Sequence, residues 1–491
     1  TCQLFILTVW AKPDWPSDTG IMAEAGIVMD MDSGAILYGQ NIHLTYPPAS
    51  ITKILTALIV LENCNLDDTV TFSTTAVNQV EADSGNKISV VAGDQLSVED
   101  CLYSMLLVSC NQAANALAEH TAGSISAFVD MMNEKLAELG CQESHFENPS
   151  GLNGDNQYVS AYDMALIAQA AYDNETLVEI SSATTHKIAP TTQNPDGFTI
   201  RGEHRLCVTE DSSSPYYYPE AIAGKTGYLI KAGNTLVTYA VKDNRRLVSV
   251  ILKGQPRQYF VDGKALLEFG FRSFQHYTVA DYESRYVTGN ETINLDKGSF
   301  QASDLMIDPD SVITLPNSAS FEDADITLGA LPEISPDNAV ALLTYSYNDR
   351  TIGTAYLLAK DGVTIDGNDS ASEAATTAFD TANAEAPLAT ASNAEKPQRP
   401  HKHISVAGVL ITILIVLLVL GVIGLISWFI YSKKKEAKAL AKRRERRRAD
   451  RIIKGILKKP MKTVHKSFSW AFLMLFSEFC RDFLICFTTP D

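Results

Sequence analysis

Two residues near the start of this 491-residue chain, Ser50 and Lys53, have the types and spacing of a serine nucleophile with a lysine base. Residues three apart share one face of a helix, so a helix that begins at Ser50 would place Lys53 beside the hydroxyl. A serine hydroxyl is a weak nucleophile until a base removes its proton. Lysine can be that base only if burial and a second cation lower its pKa by several units from about 10.4. The pattern therefore predicts acyl transfer through Ser50.

A single SxxK pattern indicates little, because it recurs in the basic stretch at residues 432–435. Taken alone, the pattern is more typical of a helix N-cap serine followed by a solvated lysine than of a catalytic pair. Order and context favour the catalytic interpretation. An SxN pattern at residues 109–111 lies between two helical patterns, whereas those at 84–86 and 346–348 lie in a loop and a strand. A KTG pattern at residues 225–227 begins a strand pattern and occurs once.

In this order the three patterns resemble those of the low-molecular-mass penicillin-binding D-alanyl-D-alanine carboxypeptidases. The resemblance extends over about residues 24–272 and includes the stretches 48–53, 146–152 and 224–228. It implies the penicillin-binding and β-lactamase-like transpeptidase fold. It also implies removal of terminal D-Ala from peptidoglycan stem pentapeptides in cell-wall maturation, with β-lactam antibiotics as covalent inhibitors. One departure is Gln157, where many relatives have histidine, and we interpret it as structural variation.

The resemblance implies three catalytic residues. Ser50 would be acylated by the penultimate D-Ala carbonyl, Lys53 would be the general base, and Ser109 would relay a proton to the leaving amine.

Five further residues would bind substrate. Asn111 would hold the substrate amide and Lys53, and the Lys225 ammonium with the Thr226 hydroxyl would bind the terminal carboxylate. Gly227 would let the substrate backbone approach the strand, and the Tyr228 N–H would complete an oxyanion hole with that of Ser50.

Three alternatives remain open. A D,D-endopeptidase would use the same fold. A β-lactamase normally adds a glutamate that positions water, and no ExxLN-like stretch lies between residues 141 and 225. A catalytically silent wall-binding or signalling protein would release no D-Ala and form no penicillin adduct.

The strand and helix patterns around these residues predict an α+β fold for the part of the chain that must position them. Strand patterns flank a turn at residues 32–34, helical patterns follow from 50 to 62, 98 to 120, 125 to 140 and 160 to 172, and an antiparallel pair turns at 243–244. A helical cluster followed by antiparallel strands argues against βαβ winding. Short β-rich segments after residue 275 predict a small all-β domain.

Charge and hydropathy predict the remaining organisation. Residues 432–491 contain 17 basic and 6 acidic side chains, whereas residues 1–431 contain 23 and 52. Residues 404–431 carry no charge and are long enough to span a membrane, with three lysines directly after them. We therefore expect a single-pass membrane protein with its catalytic domain outside and its basic tail in the cytoplasm. The predicted segments are 1–23 (signal-peptide remnant and N-terminal segment), 24–275 (catalytic), 276–360 (all-β), 361–403 (flexible linker), 404–431 (transmembrane helix) and 432–491 (tail).

The same composition excludes other classes of function. An acidic body has no electrostatic footprint for nucleic acid. Cysteine and histidine do not occur at ligand spacings, so we predict no metal and no cofactor. The body has five cysteines, an odd number in a large domain, so we expect no disulfide scaffold and one disulfide at most.

Overall fold

The computed structural model describes residues 12–81, 84–332 and 334–365. Several predicted segments lie outside the described residues: residues 1–11 of the signal-peptide remnant and N-terminal segment (1–23), most of the linker, the transmembrane helix at 404–431 and the basic tail. Within the described part of the chain, no helix combines the length and apolar character that a membrane crossing requires.

A five-stranded antiparallel sheet forms the centre of the catalytic part. Its order is β2-β1-β11-β10-β9, so β9 lies at an edge. Three two-stranded sheets surround it, β3 with β6, β4 with β5, and β7 with β8. The strands are β1 (Ala25–Asp30), β2 (Ile36–Gln40), β3 (Thr45–Tyr46), β4 (Thr69–Thr71), β5 (Gln95–Ser97), β6 (Val159–Ser160), β7 (Thr185–Ile188), β8 (Phe198–Arg201), β9 (Ala221–Leu229), β10 (Gly233–Lys242) and β11 (Arg245–Gly254).

Helices cover both faces of the central sheet. The helices are α1 (Lys53–Asn63), α2 (Thr74–Asn78), α3 (Val98–Leu107), α4 (Asn111–Ala122), α5 (Ile125–Glu138), α6 (Ala161–Tyr172), α7 (Glu175–Ser182), α8 (Arg205–Val208) and α9 (Gln258–Ser273). One apolar cluster joins α1, α3, α4 and α6 to one sheet face, and a second places α9 on the other. The α+β prediction is confirmed, but the sequence patterns did not predict α9, which adds a helical layer on the second face of the sheet.

Local signals explain several element boundaries. Ser97, Ser124 and Ser160 each accept a backbone N–H from the first turn of α3, α5 and α6, as N-cap serines do. Asp243 and Asn244 both have positive φ, the conformation that a two-residue hairpin turn requires, and they connect β10 to β11. The predicted hairpin is therefore confirmed.

The chain after α9 is mostly β-structure and has its own apolar cluster. Strands β15, β19, β18 and β17 form a four-stranded sheet, and β12 pairs with β16 and β13 with β14. The short α-helix α10 (Val279–Tyr282) and two 3-10 helices, Ala302–Asp304 and Phe321–Asp323, lie between the strands. The strands are β12 (Phe274–Thr278), β13 (Thr292–Leu295), β14 (Gly298–Gln301), β15 (Leu305–Ile307), β16 (Val312–Pro316), β17 (Asp325–Gly329), β18 (Ala339–Tyr347) and β19 (Arg350–Ala359).

A buried polar junction connects β1 to this β-rich part. Asp30 accepts hydrogen bonds from His276 at 2.7 Å and Arg245 at 3.3 Å. Burial alone would raise the pKa of Asp30, but the hydrogen bond and the charges of these partners hold it below its usual value. Trp15 packs on Phe274 nearby, so the segment before β1 also takes part in the connection. The four side chains Asp30, Arg245, His276 and Trp15 are referred to below as the junction.

Candidate active site

A short 3-10 helix, Ala49–Thr52, positions the candidate nucleophile. The α-helix begins only at Lys53, three residues later than the predicted start at Ser50. In a 3-10 helix residues i and i+3 eclipse each other, so the tighter turn brings the two side chains together. Lys53 Nζ lies 2.9 Å from Ser50 Oγ. The predicted proximity is therefore present, by a different local geometry.

Lys53 is fully buried and has three polar neighbours. Its Nζ donates to Asn111 Oδ1 at 2.7 Å and to the Ser150 carbonyl at 2.5 Å, besides the contact with Ser50. Both carbonyl-type oxygens can only accept. A neutral amine has two N–H groups and one lone pair, so the two acceptors occupy both N–H groups. The lone pair is then directed at the Ser50 hydroxyl, which is the orientation a general base needs.

Burial is the first cause that lowers the pKa of Lys53 well below its usual value. The positive charge of Lys225 is the second cause. Among the described residues, no carboxylate forms an ion pair with Lys53 that would restore the charged form. The site thus favours the neutral amine, as a base requires.

The SxN segment lies where α3 ends and α4 begins. Ser109 has a φ of 62° in this turn and lines the same cleft as Ser50. Asn111 is the first residue of α4, which places its amide oxygen on Lys53. Cys110 caps α4 by accepting the Ala113 N–H through sulfur, and burial raises the pKa of its thiol to about 11. Its thiol therefore stays protonated and unreactive near neutral pH.

The KTG residues lie on the edge strand β9, beside the nucleophile. Burial lowers the pKa of Lys225 to about 8, and the nearby Glu203 charge limits that shift. Thr226 and Tyr228 line the cleft. A Cβ at Gly227 would lie 2.8 Å from the Ser50 nitrogen, so glycine is needed for β9 to pack against the 3-10 helix. This packing is a second reason for glycine beside the predicted access of substrate backbone.

These residues surround one cleft of about 1020 Å³. Ser50, Ser109, Asn111, Thr226, Gly227 and Tyr228 line it directly, and Lys53 and Lys225 lie buried behind Ser50 and Thr226. The structure thus brings all eight predicted site residues together. Sequence patterns missed the cleft's charged lining, which includes Glu81, Arg205 and an ion pair of Lys87 with Glu203 at 3.3 Å.

The loop at residues 147–152 was recognised only as part of a resembling stretch, although it supplies a partner of the base. Its Ser150 carbonyl accepts from Lys53, and its Pro149 carbonyl accepts from Thr56 at 2.7 Å. Gly151 has a φ of +80°, and a Cβ there would collide with the Ala49 backbone. A backbone carbonyl has no signature in residue type, so no sequence pattern could have assigned it.

One cluster in the described residues has the composition of a cation site. Ligand atoms of Asp30, Asp32 and His276 lie within 4.8 Å of one another. Asp30 is already hydrogen-bonded to His276 and Arg245, and Asp32 is paired with Arg246 at 2.6 Å. The group is thus an ion-pair network between strands. All five cysteines of the described residues are free thiols.

Comparison with known proteins shows which family the chain belongs to. The model of the D-alanyl-D-alanine carboxypeptidase family, peptidase S11, matches residues 12–255. The D-alanyl-D-alanine carboxypeptidase DacB2 of Mycobacterium tuberculosis is 35% identical over 265 residues, which cover 53% of this chain and 84% of that protein. The D-alanyl-D-alanine carboxypeptidase DacF of Bacillus subtilis is 29% identical over 279 residues, which cover 55% of this chain and 68% of that protein.

Among solved structures, a D-alanyl-D-alanine carboxypeptidase from M. tuberculosis H37Rv is 32% identical, covers 54% of this chain and 94% of that one, and superposes with a TM-score of 0.46. From the sequence matches, this chain belongs to the peptidase S11 family of D-alanyl-D-alanine carboxypeptidases.

Proposed function

We propose that this protein is a serine D-alanyl-D-alanine carboxypeptidase that removes terminal D-Ala from peptidoglycan stem pentapeptides through an acyl-enzyme on Ser50. The observation that carries the proposal is the 2.9 Å contact of Ser50 Oγ with a buried lysine amine whose N–H groups are both engaged elsewhere. Family membership supports the reaction type.

Acylation would begin with transfer of the Ser50 proton to the lone pair of Lys53. The Ser50 oxygen then attacks the penultimate D-Ala carbonyl, and the resulting oxyanion is stabilised by the N–H groups of Ser50 and Tyr228. When the tetrahedral intermediate breaks down, Ser109 gives its hydroxyl proton to the departing nitrogen of terminal D-Ala and takes the proton that Lys53 holds. The C–N bond breaks, terminal D-Ala leaves as a free amino acid, and Lys53 is neutral again.

Substrate orientation would come from the edge of β9 and from two polar groups. The Asn111 side chain would hold the substrate amide, while the Lys225 ammonium and the Thr226 hydroxyl would bind the terminal carboxylate. An edge strand offers unpaired backbone groups to an extended peptide, so the stem peptide can lie along β9. Water then hydrolyses the ester and regenerates Ser50.

A penicillin would acylate the same serine and remain bound, because its ring amide supplies no departing fragment. The three described partners of Lys53 are a hydroxyl, an amide and a peptide carbonyl, so none of them is the water-positioning glutamate of a β-lactamase. Slow release of penicillin is therefore expected, and rapid turnover would favour the β-lactamase alternative.

Incubation with a tagged penicillin, followed by mass mapping of the modified peptide, tests the assignment. We expect one adduct, on Ser50, and D-Ala release from a pentapeptide. Ser50→Ala should remove both while the melting temperature stays unchanged, because only the nucleophile is lost. Ser346→Ala, in the SxN pattern of β18, is the matched control and should react like the natural chain. Labelling of Ser50→Ala at another serine would refute the assignment.

We also propose that residues 404–431 anchor the protein in the cell membrane, with residues 24–275 and the all-β segment at 276–360 outside and residues 432–491 inside. The uncharged stretch and the lysines after it support this arrangement. Full chain in the membrane fraction, with its basic tail protected from external protease, is the expected result. Release of the full chain by a salt wash would contradict it.

A further inference from the structure

Gln157 is a buried amide, 5% exposed, whose hydrogen bonds in the described residues go to Glu147, Asn148 and Leu152 and to none of the eight predicted site residues. It lies just before β6 and reaches back to the loop at residues 147–152. Its Oε1 accepts the N–H groups of Glu147 at 3.1 Å and Asn148 at 3.2 Å. Its Nε2 donates to the Leu152 carbonyl at 2.5 Å. One side chain therefore ties the two ends of the loop together.

Asn148 holds the inside of the same loop. Its Oδ1 accepts from the Gly151 N–H at 2.8 Å and from the Ser150 hydroxyl at 3.1 Å. Its Nδ2 donates to the Leu152 carbonyl at 3.1 Å. The two amides together hydrogen-bond to backbone groups of Glu147, Asn148, Gly151 and Leu152, whereas the Ser150 carbonyl points away from the loop toward Lys53.

The Ser150 carbonyl accepts one N–H of Lys53. If the loop shifted, this N–H would lose its partner, and the amine could rotate so that an N–H, instead of the lone pair, faced Ser50. Displacements of about 1 Å at a reacting group can cost roughly 100-fold in rate. The orientation of the base thus depends on a loop that Gln157 closes.

We infer that Gln157 is a positioning residue for the general base, acting through the Asn148-containing loop and the Ser150 carbonyl. This inference rests on the proposed function, since it concerns how Lys53 is oriented toward Ser50. A purely structural role would lower stability without a selective effect on the chemical step.

The test uses the full chain and three variants at Gln157. Gln157→Met keeps the side-chain length and removes all three hydrogen bonds, and we expect kcat for D-Ala release to fall about 10- to 100-fold. KM should change by less than about threefold, because no substrate contact is lost. Gln157→His, which can accept one and donate one hydrogen bond, should restore at least part of kcat.

Gln169→Met is the matched control, since Gln169 lies on α6 outside the cleft and donates one hydrogen bond to the Met31 carbonyl. It should leave kcat and KM unchanged. Gln157→Glu, which keeps the acceptor oxygen and loses the Leu152 donor, decides the matter if Gln157→Met does not fold, and a loss of kcat is again expected. An unchanged kcat in a folded Met or Glu variant overturns the inference. Failure of the natural chain to react with penicillin would instead overturn the proposed function.

Discussion

The catalytic cleft and the junction both bury charged side chains, but they combine them in opposite ways. In the cleft, burial lowers the pKa of both Lys53 and Lys225, and the positive charge of Lys225 lowers that of Lys53 further. In the junction Asp30 meets Arg245 and His276, so burial is offset by opposite charge. Burial in the cleft therefore disfavours the charged form of both lysines, whereas the charged form of Asp30 in the junction is stabilised by its partners.

The two arrangements have opposite consequences for stability. A base whose pKa is lowered on folding binds its proton more weakly than in the unfolded chain, so Lys225 disfavours the folded state at neutral pH and this cost falls between about pH 8 and 10.5. Asp30 has a lowered acid pKa, so it stabilises the fold at neutral pH and that contribution is lost as the pH falls below about 3.8. The buried lysine of the cleft thus costs folding stability at neutral pH, and the buried carboxylate of the junction adds to it.

The largest expected effect is a loss of activity in the cleft without a loss of stability. Lys225→Met keeps most of the side-chain length but removes the charge, and kcat/KM on a carboxylate-bearing peptide should fall about 100- to 1000-fold because a transition-state charge partner is lost. The melting temperature should not fall, since replacing a buried cation by an apolar chain is often neutral or stabilising. Steady-state kinetics with calorimetry would check both, and a large loss of stability would break the contrast.

Asp30→Asn should give the reverse pattern. The amide retains the shape but leaves Arg245 and His276 without their carboxylate, so the free energy of unfolding should fall by about 3 kcal/mol. Penicillin acylation of Ser50 should proceed at the natural rate, because Asp30 lies outside the cleft. Denaturant titration and acylation kinetics measure the two quantities. Slower acylation in a folded Asp30→Asn protein would mean that the junction also supports the site.

A smaller effect concerns pH. Because the pKa of Lys225 is about 8, its ammonium is lost as the pH rises through that value, and KM for a carboxylate substrate should rise by roughly tenfold per pH unit beyond it. The pH profile of the Lys225→Met protein should lack this alkaline limb. An alkaline limb of the same midpoint in that variant would assign the titration to another group.

The elements and their order follow from local signals that the sequence carries. Serine caps begin α2, α3, α5 and α6, and a two-residue turn at Asp243 and Asn244 closes the β10–β11 hairpin. The start of α1 was misplaced because a 3-10 and an α-helical turn share the same i, i+3 pattern. Side-chain types likewise marked Ser50 and Lys53, since nucleophile and base must be particular residues.

The sequence by itself determined the order of the three patterns, the α+β class and the family resemblance. Only the tertiary structure decided that Lys53 is buried beside a second lysine and that the Ser150 carbonyl takes one of its N–H groups. The reason is physical. Residue type limits what a group can donate, accept or titrate, but its pKa and the direction of its lone pair depend on burial and on neighbours distant in the chain, including backbone atoms that every residue has.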